Sequence, residues 1–138
     1  VDEKDREILL NLLRNARIPK TKIAEKLDVT ETAIRKRIEK LEEQRILLGY
    51  RAILDFKKAG LFVSFTGLDV EPEHIWKTMN ALKEIEEVFA LYLTSGDHTI
   101  LAEIIADSFE KLNEVHDRIS KFNGVKRVCP SIVLEVVK

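Results

Sequence analysis

Lys20, Lys22, Arg35, Lys36, Arg37 and Lys40 crowd one short stretch of the chain, interleaved with Thr21, Thr30, Thr32 and Ala33. Ammonium, guanidinium and hydroxyl groups of this kind bind phosphate oxygens, and Arg or Lys on a helix can donate to guanine O6 and N7. Placing Ile34, Ile38 and Leu41 inward at i, i+4, i+7 turns Thr32, Lys36, Lys40 and Glu43 outward, flanked by Ala33 and Arg35. Lys36 and Arg35 then face base edges, and the short Thr32 and Ala33 permit close approach. Lys20, Lys22, Lys40 and the Thr30 hydroxyl are placed for phosphates, with Thr21 and Arg37 completing the set. The chemistry is that of a helix laid in the major groove of duplex DNA. The competing reading is a solvated helix face with ion pairs such as Arg35–Glu39. The turn spacing and the two-helix apolar pattern favour nucleic acid.

Catalytic chemistry has little support. His74, His98 and His116 are scattered, and none has the i,i+4 partner or carboxylate spacing of a metal site. Cys129, the single cysteine, has no histidine near it in sequence and reads as a buried or interface thiol. It excludes an intrachain disulfide and a cysteine-based zinc site. No glycine-rich phosphate loop or nucleophile elbow is present. We therefore expect no enzyme activity, no cofactor and no metal.

The elements that must hold the basic residues follow from periodicity. Asp2 and Asp5 favour a helix start, and Ile8, Leu9, Leu12 and Leu13 give that helix one apolar face. Arg17-Ile18-Pro19 ends it. Pro19 is tolerated in the first turn of the next helix, which buries Ile23, Ala24 and Leu27. Asp28-Val29-Thr30 is a turn, and Thr30 can cap the third helix. Beyond it the period changes. Leu48–Phe56 is expected to be a strand, and Lys57-Lys58-Ala59-Gly60 a connection. Strand, helix, strand, strand, helix, strand follow: Leu61–Val70; a helix opened by Pro72 with Ile75, Trp76, Met79, Leu82 and Ile85 on one face; Val88–Thr94; Thr99–Ala106; a helix lined by Phe109, Leu112, Val115, Ile119 and Phe122 and ended by Asn123-Gly124; and Val125–Val137. Two such halves suggest a ferredoxin-like βαββαβ domain whose last strand lies at an edge and accommodates Pro130. The fold class is α+β: a helix-turn-helix, winged-helix-like domain over 1–47, a connecting strand and hinge over 48–60, and a ferredoxin-like domain over 61–138.

Composition agrees once charge is resolved along the chain. The 138 residues carry a net charge of −1, which alone argues against a DNA binder. Residues 1–55 hold 13 Lys+Arg against 11 Asp+Glu, and residues 56–138 hold 10 against 13, so the excess positive charge sits with the helices. A local basic face is what phosphate binding requires. No apolar run approaches a membrane span, and the charged N-terminal segment has no signal-peptide core. A cytoplasmic protein without a membrane partner is expected.

The chain resembles the Lrp/AsnC (feast/famine) transcription regulators over nearly its full length. The resemblance is carried by the opening DEKDREILLNLLRNAR, by IAEKLDVTETAIRKRIEKLEEQ, by GYRAILD, by LYLTSGDHTILAEI and by the closing GVKRVCPSIVLE. Asp28 replaces the glycine usual in the family's turn; aspartate tolerates a left-handed conformation better than most residues. The resemblance implies an operator-binding regulator of duplex DNA that forms dimers, commonly assembled into octamers or other higher states. An amino acid or related effector would bind between dimers near the loop joining the second and third strands of the C-terminal domain. Here that loop is Thr94-Ser95-Gly96-Asp97-His98-Thr99. Gly96 would bare backbone amides to a ligand, Asp97 would meet an ammonium group, and Ser95, Thr94 and Thr99 would add neutral hydrogen bonds. Gly-Asp is equally a standard two-residue hairpin turn. Glu103, the odd polar residue in an apolar strand, sits either at a solvated sheet edge or paired in an interface, and is expected to select an effector with a basic side chain. The alternative function is a ligand-binding or oligomerisation module without sequence-specific DNA binding.

Overall fold

The computed structural model describes residues 1–138, which divide into two compact units, Val1–Ile53 and Leu54–Lys138. The first is all-helical: α1 (Glu3–Arg14), α2 (Lys20–Leu27) and α3 (Glu31–Glu43). Asp2 and Asp5 close α1 with a reciprocal capping box, the Asp5 amide donating to the Asp2 carboxylate at 2.8 Å. Ile8, Leu12, Ile23, Ala24, Ile34 and Ile38 form the core of the unit. Leu13, expected on the buried face of α1, is 75 % exposed. Asn11 takes an inward place instead, its Nδ2 donating to the Glu7 carbonyl at 2.8 Å and its Oδ1 accepting from Lys26 Nζ of α2 at 3.1 Å. Pro19 stands at the N-cap of α2, one position earlier than expected.

The expected strand over Leu48–Phe56 is not formed. Residues 48–55 carry no regular structure, and Phe56–Ala59 is a short helix, α4, capped by Asp55 and ended by Gly60 at φ 73°. The alternation of this stretch is strand-like, but no strand of the chain's sheet pairs with it, and an unpaired strand has no ladder to satisfy its amides.

The second unit runs β1 (Phe62–Val70), a 3₁₀ turn at Pro72–His74, α5 (Ile75–Lys83), β2 (Val88–Leu93), β3 (Ile100–Ala106), α6 (Phe109–Ser120) and β4 (Val125–Ile132). The sheet has order β2-β3-β1-β4 with every neighbour antiparallel, the ferredoxin-like arrangement. β4 is an edge strand, so Pro130, opposite Thr66, is tolerated there. One face of the sheet packs on the helices: Leu68, Val70, Ile100, Ala102 and Ile104 meet Met79 and Leu82 of α5 and Leu112, Val115 and Ile119 of α6. Trp76, expected on the buried face of α5, is 65 % exposed. Phe109 sits at the rim, packing edge to face on Phe62 with centroids 6.2 Å apart. The opposite face of the sheet has no helix, and Phe65, Tyr92 and Leu101 are exposed on it. No helix is long and apolar enough to cross a membrane.

Candidate nucleic-acid interface and effector turn

The turn between α2 and α3 is set by two residues. Asp28 adopts the left-handed conformation (φ 54°, ψ 50°) and Thr30 caps α3, its Oγ1 accepting from the Ala33 amide at 3.1 Å. Thr30 keeps its hydroxyl proton for an outside acceptor. No side chain caps the N-terminus of α2, and no carboxylate lies in its first turn, where Lys20, Thr21 and Lys22 are exposed. That helix end offers amides and positive charge together, a suitable seat for a phosphate.

On α3 the burial of Ile34, Ile38 and Leu41 leaves Thr32, Lys36 and Lys40 exposed on the opposite side. Ala33 is partly buried. Arg35 is exposed and paired with Glu31 one turn earlier at 3.6 Å, not with Glu39. Arg37 departs from its expected role. Its guanidinium points back to α1, with Nη1 donating to Asp2 at 2.8 Å and to Asp5 at 3.0 Å. It lies only about 60° round the helix from the buried Ile34, so it reaches a neighbouring helix rather than the outer strip. Its hydrogen bond is the chief reason the Asp2 carboxyl falls to a pKa of about 2, with the Asp5 amide contributing next, while the two carboxylates raise that of Arg37.

In the C-terminal unit the Thr94–Thr99 segment is a six-residue loop between β2 and β3, and no two-residue hairpin forms. Gly96 does not adopt positive φ, which a type I′ turn would require. The loop is tied at both ends: the Thr94 amide donates to the Thr99 carbonyl at 2.9 Å, the Thr99 amide to the Leu68 carbonyl at 3.0 Å, and the Thr94 hydroxyl to the His98 carbonyl. Ser95, Gly96 and Asp97 form its exposed tip, and nothing lies within 4 Å of where a Gly96 side chain would start. His98 is turned inward. Its ring fills the space a Gly67 Cβ would occupy, and its Nδ1 is 2.9 Å from the Asp69 carboxylate.

Glu103 does not join this loop. It lies on β3, an interior strand, between Phe65 of β1 and Ala90 of β2, and is only 9 % exposed. The solvated-edge reading therefore fails. The strand rise puts Glu103 roughly 13 Å along β3 from Thr99, so a small ligand on the loop tip does not reach the Glu103 of the same chain.

Two polar clusters were invisible in the sequence. Ser64 and Thr66, both fully buried, face α6, where His116 Nε2 lies 3.1 Å and 2.7 Å from their hydroxyl oxygens and its Nδ1 is 2.8 Å from the Leu112 carbonyl. Desolvation depresses the pKa of His116. With Nδ1–H donating to the carbonyl, the single Nε2 lone pair accepts from the nearer Thr66 hydroxyl, and the Ser64 hydroxyl donates to Thr66 Oγ1 at 2.8 Å. Asp69, His98 and Cys129 form the second cluster, brought together from two strands and a loop. Only an alternation in which Ser64 and Thr66 share the inward face of Leu68 could have flagged the first; sequence spacing carries no signal for the second.

The AsnC-type helix-turn-helix domain matches residues 1–42, and the Lrp/AsnC ligand binding domain matches residues 63–138. The chain belongs to the Lrp/AsnC family and is a DNA-binding transcription regulator of that type; its relatives are regulators, not enzymes. It is 46 % identical over 140 residues to the HTH-type transcriptional regulator LrpA of Pyrococcus horikoshii, covering 100 % of this chain and 99 % of that protein. The fold is shared with AsnC of E. coli (25 % identity, TM-score 0.67, 100 % of this chain and 95 % of that one). It is also shared with the Neisseria meningitidis transcriptional regulator NMB0573 in its L-Met complex (20 % identity, TM-score 0.71, 100 % and 92 %).

Proposed function

We propose that this regulator reads a specific operator through α3 as a symmetric dimer and that an amino acid bound at the Thr94–Thr99 loop modulates it. The observation that carries the reading is the division of labour on α3: Thr32, Lys36 and Lys40 stand exposed on one strip, while Arg37 is tied to α1. Lys36 and Arg35 take the base edges, after Arg35 leaves its exposed pairing with Glu31. Lys20, Lys22, Lys40, Thr21 and Thr30 hold phosphates. A dimer places its two copies of α3 on half-sites one helical turn, or a multiple, apart.

The uncovered sheet face, with Phe65, Tyr92 and Leu101 exposed, is suited to the dimer contact. The effector reading is supported by the exposed tip at Ser95, Gly96 and Asp97 and by the L-Met complex of the Neisseria regulator. An effector acts only by binding one assembly or head spacing better than another. The test is paired. Gel shifts with promoter DNA should weaken in Lys36→Ala and weaken further with salt; retention unchanged in Arg35→Ala/Lys36→Ala sinks the DNA reading. Calorimetry with the common amino acids should give heat for at least one, reduced in Asp97→Asn; no heat for any removes the effector half alone.

A further inference from the structure

The uncovered face of the C-terminal sheet gathers three different metal-binding side chains at one point. Leu68 and Val70 pack on the helices, so Asp69 between them projects to the other side; Val128 does the same for Cys129. Gly67 pairs with Cys129 across the β1–β4 ladder, which places the thiol beside the glycine. The His98 ring lies over that same glycine, with its atoms as close as 2.2 Å to the place a Cβ would take, so it can sit there only because residue 67 has no side chain. The carboxylate, a ring nitrogen and the thiol consequently offer ligand atoms within 4.8 Å of one another.

We infer that Asp69, His98 and Cys129 form a binding site for a divalent transition-metal ion of the zinc class. Thiolate and imidazole select zinc-like ions over magnesium or calcium, which prefer oxygen donors throughout. One carboxylate and one thiolate neutralise a doubly charged ion. Zinc bonds of about 2.0–2.1 Å put neighbouring nitrogen and oxygen ligands roughly 3.3 Å apart in a tetrahedron. The 2.9 Å separation of His98 Nδ1 and Asp69 Oδ1 needs to open by only a few tenths of an ångström, with the metal taking the place of the shared proton. The thiol closes by rotation about its own side chain. Three protein ligands leave a fourth position for water or for a ligand donor. One cation competes: Arg127 Nε lies 3.7 Å from Asp69 Oδ2, with a side chain 70 % exposed in the single chain, and the metal must displace it. Binding would fasten the Thr94–Thr99 loop to the sheet through His98. The inference does not depend on the DNA or amino-acid readings.

The test is a titration of the full chain, reduced and stripped with chelator, with cobalt(II) alone. One cobalt per chain is expected, with thiolate-to-cobalt absorption in the near ultraviolet and tetrahedral bands in the visible. His98→Gln and Asp69→Asn should each weaken binding at least about ten-fold, and Cys129→Ser should abolish the ultraviolet band. Arg127→Gln, which keeps all three ligands, should bind as tightly or more tightly. Glu73→Gln, at the exposed member of the separate group Glu71, Glu73 and His74, should change nothing. Zinc should raise the unfolding midpoint of the wild-type chain and not that of Cys129→Ser. Absence of the thiolate band in the wild type overturns the inference. So does a band whose strength is indifferent to both His98→Gln and Asp69→Asn, since that marks a thiol binding metal by itself.

Discussion

Arg37 and Lys36 are neighbours in the chain, yet a rotation of about 100° about the helix axis turns one charge to α1 and leaves the other in solvent. Arg37→Ala should lower the thermal unfolding midpoint of the N-terminal unit, because Asp2 and Asp5 lose their common partner. Lys36→Ala should leave the midpoint unchanged, weaken operator binding by about 1–3 kcal/mol and relax specificity at the base it reads, whereas Lys40→Ala should reduce the slope of log affinity against log salt by about 1. Acid should separate the two roles further. The Asp2 carboxyl is held at about 2 in the folded chain against an ordinary 3.8. Its contribution is therefore complete above pH 3.8 and is lost as pH falls through about 2. His116 gives the opposite charge type with the same direction of effect. Its folded pKa lies below the usual 6.5, so the unfolded chain takes up protons first and stability falls as pH drops below about 6.5. Urea melts at pH 7.5 and 5.5 should show that loss in the wild type and a smaller one in His116→Asn. None of these partnerships was written in local spacing. Arg37 sits among basic residues, and only the packing of α3 on α1 reveals that its charge is already spent.

At the scale of elements, the helices of the N-terminal unit were legible because their 3–4 apolar spacing and their capping residues agree. Ile34→Ala or Ile38→Ala should cost about 2–5 kcal/mol in denaturant unfolding, the usual range for emptying a core position. The first three strands were legible to within a residue, whereas β4 stops at Ile132, five residues short of the expected Val137. Leu48–Phe56 was not legible, because alternation records a preference and pairing needs a neighbour. The two sheet-side glycines separate by environment. Gly67→Ala should disrupt the C-terminal unit, since the His98 ring and a Cβ cannot share one place. Gly96→Ala should leave the unfolding midpoint unaltered, as the position is open and its φ is not positive. If effector binding uses bare backbone there, calorimetry should show the affinity fall with no change in stability. The candidate site was legible only in part: the loop and the basic strip could be named from sequence, whereas the burial of Glu103 and the inward turn of His98 follow from strand order.

For the whole molecule, the family likeness extends through both units, and each unit has its own core. A fragment comprising 54–138 should therefore fold, and by sedimentation should dimerise; a monomer would remove the uncovered sheet face as the dimer contact. That face has a consequence for how the protein responds to its own amount. Phe65, Tyr92 and Leu101 are wet in a single chain, and in a dimer formed through this face, as proposed above, a second chain would dry them. Folding and association then share one equilibrium, and mass action links the unfolding midpoint to total concentration. Ten-fold dilution should lower the midpoint measurably, while Tyr92→Lys should lower it at every concentration. A regulator built this way reports on its own dosage: at low copy number part of the population lacks a partner, and the threshold for occupying paired half-sites is set by how much of the chain has been made.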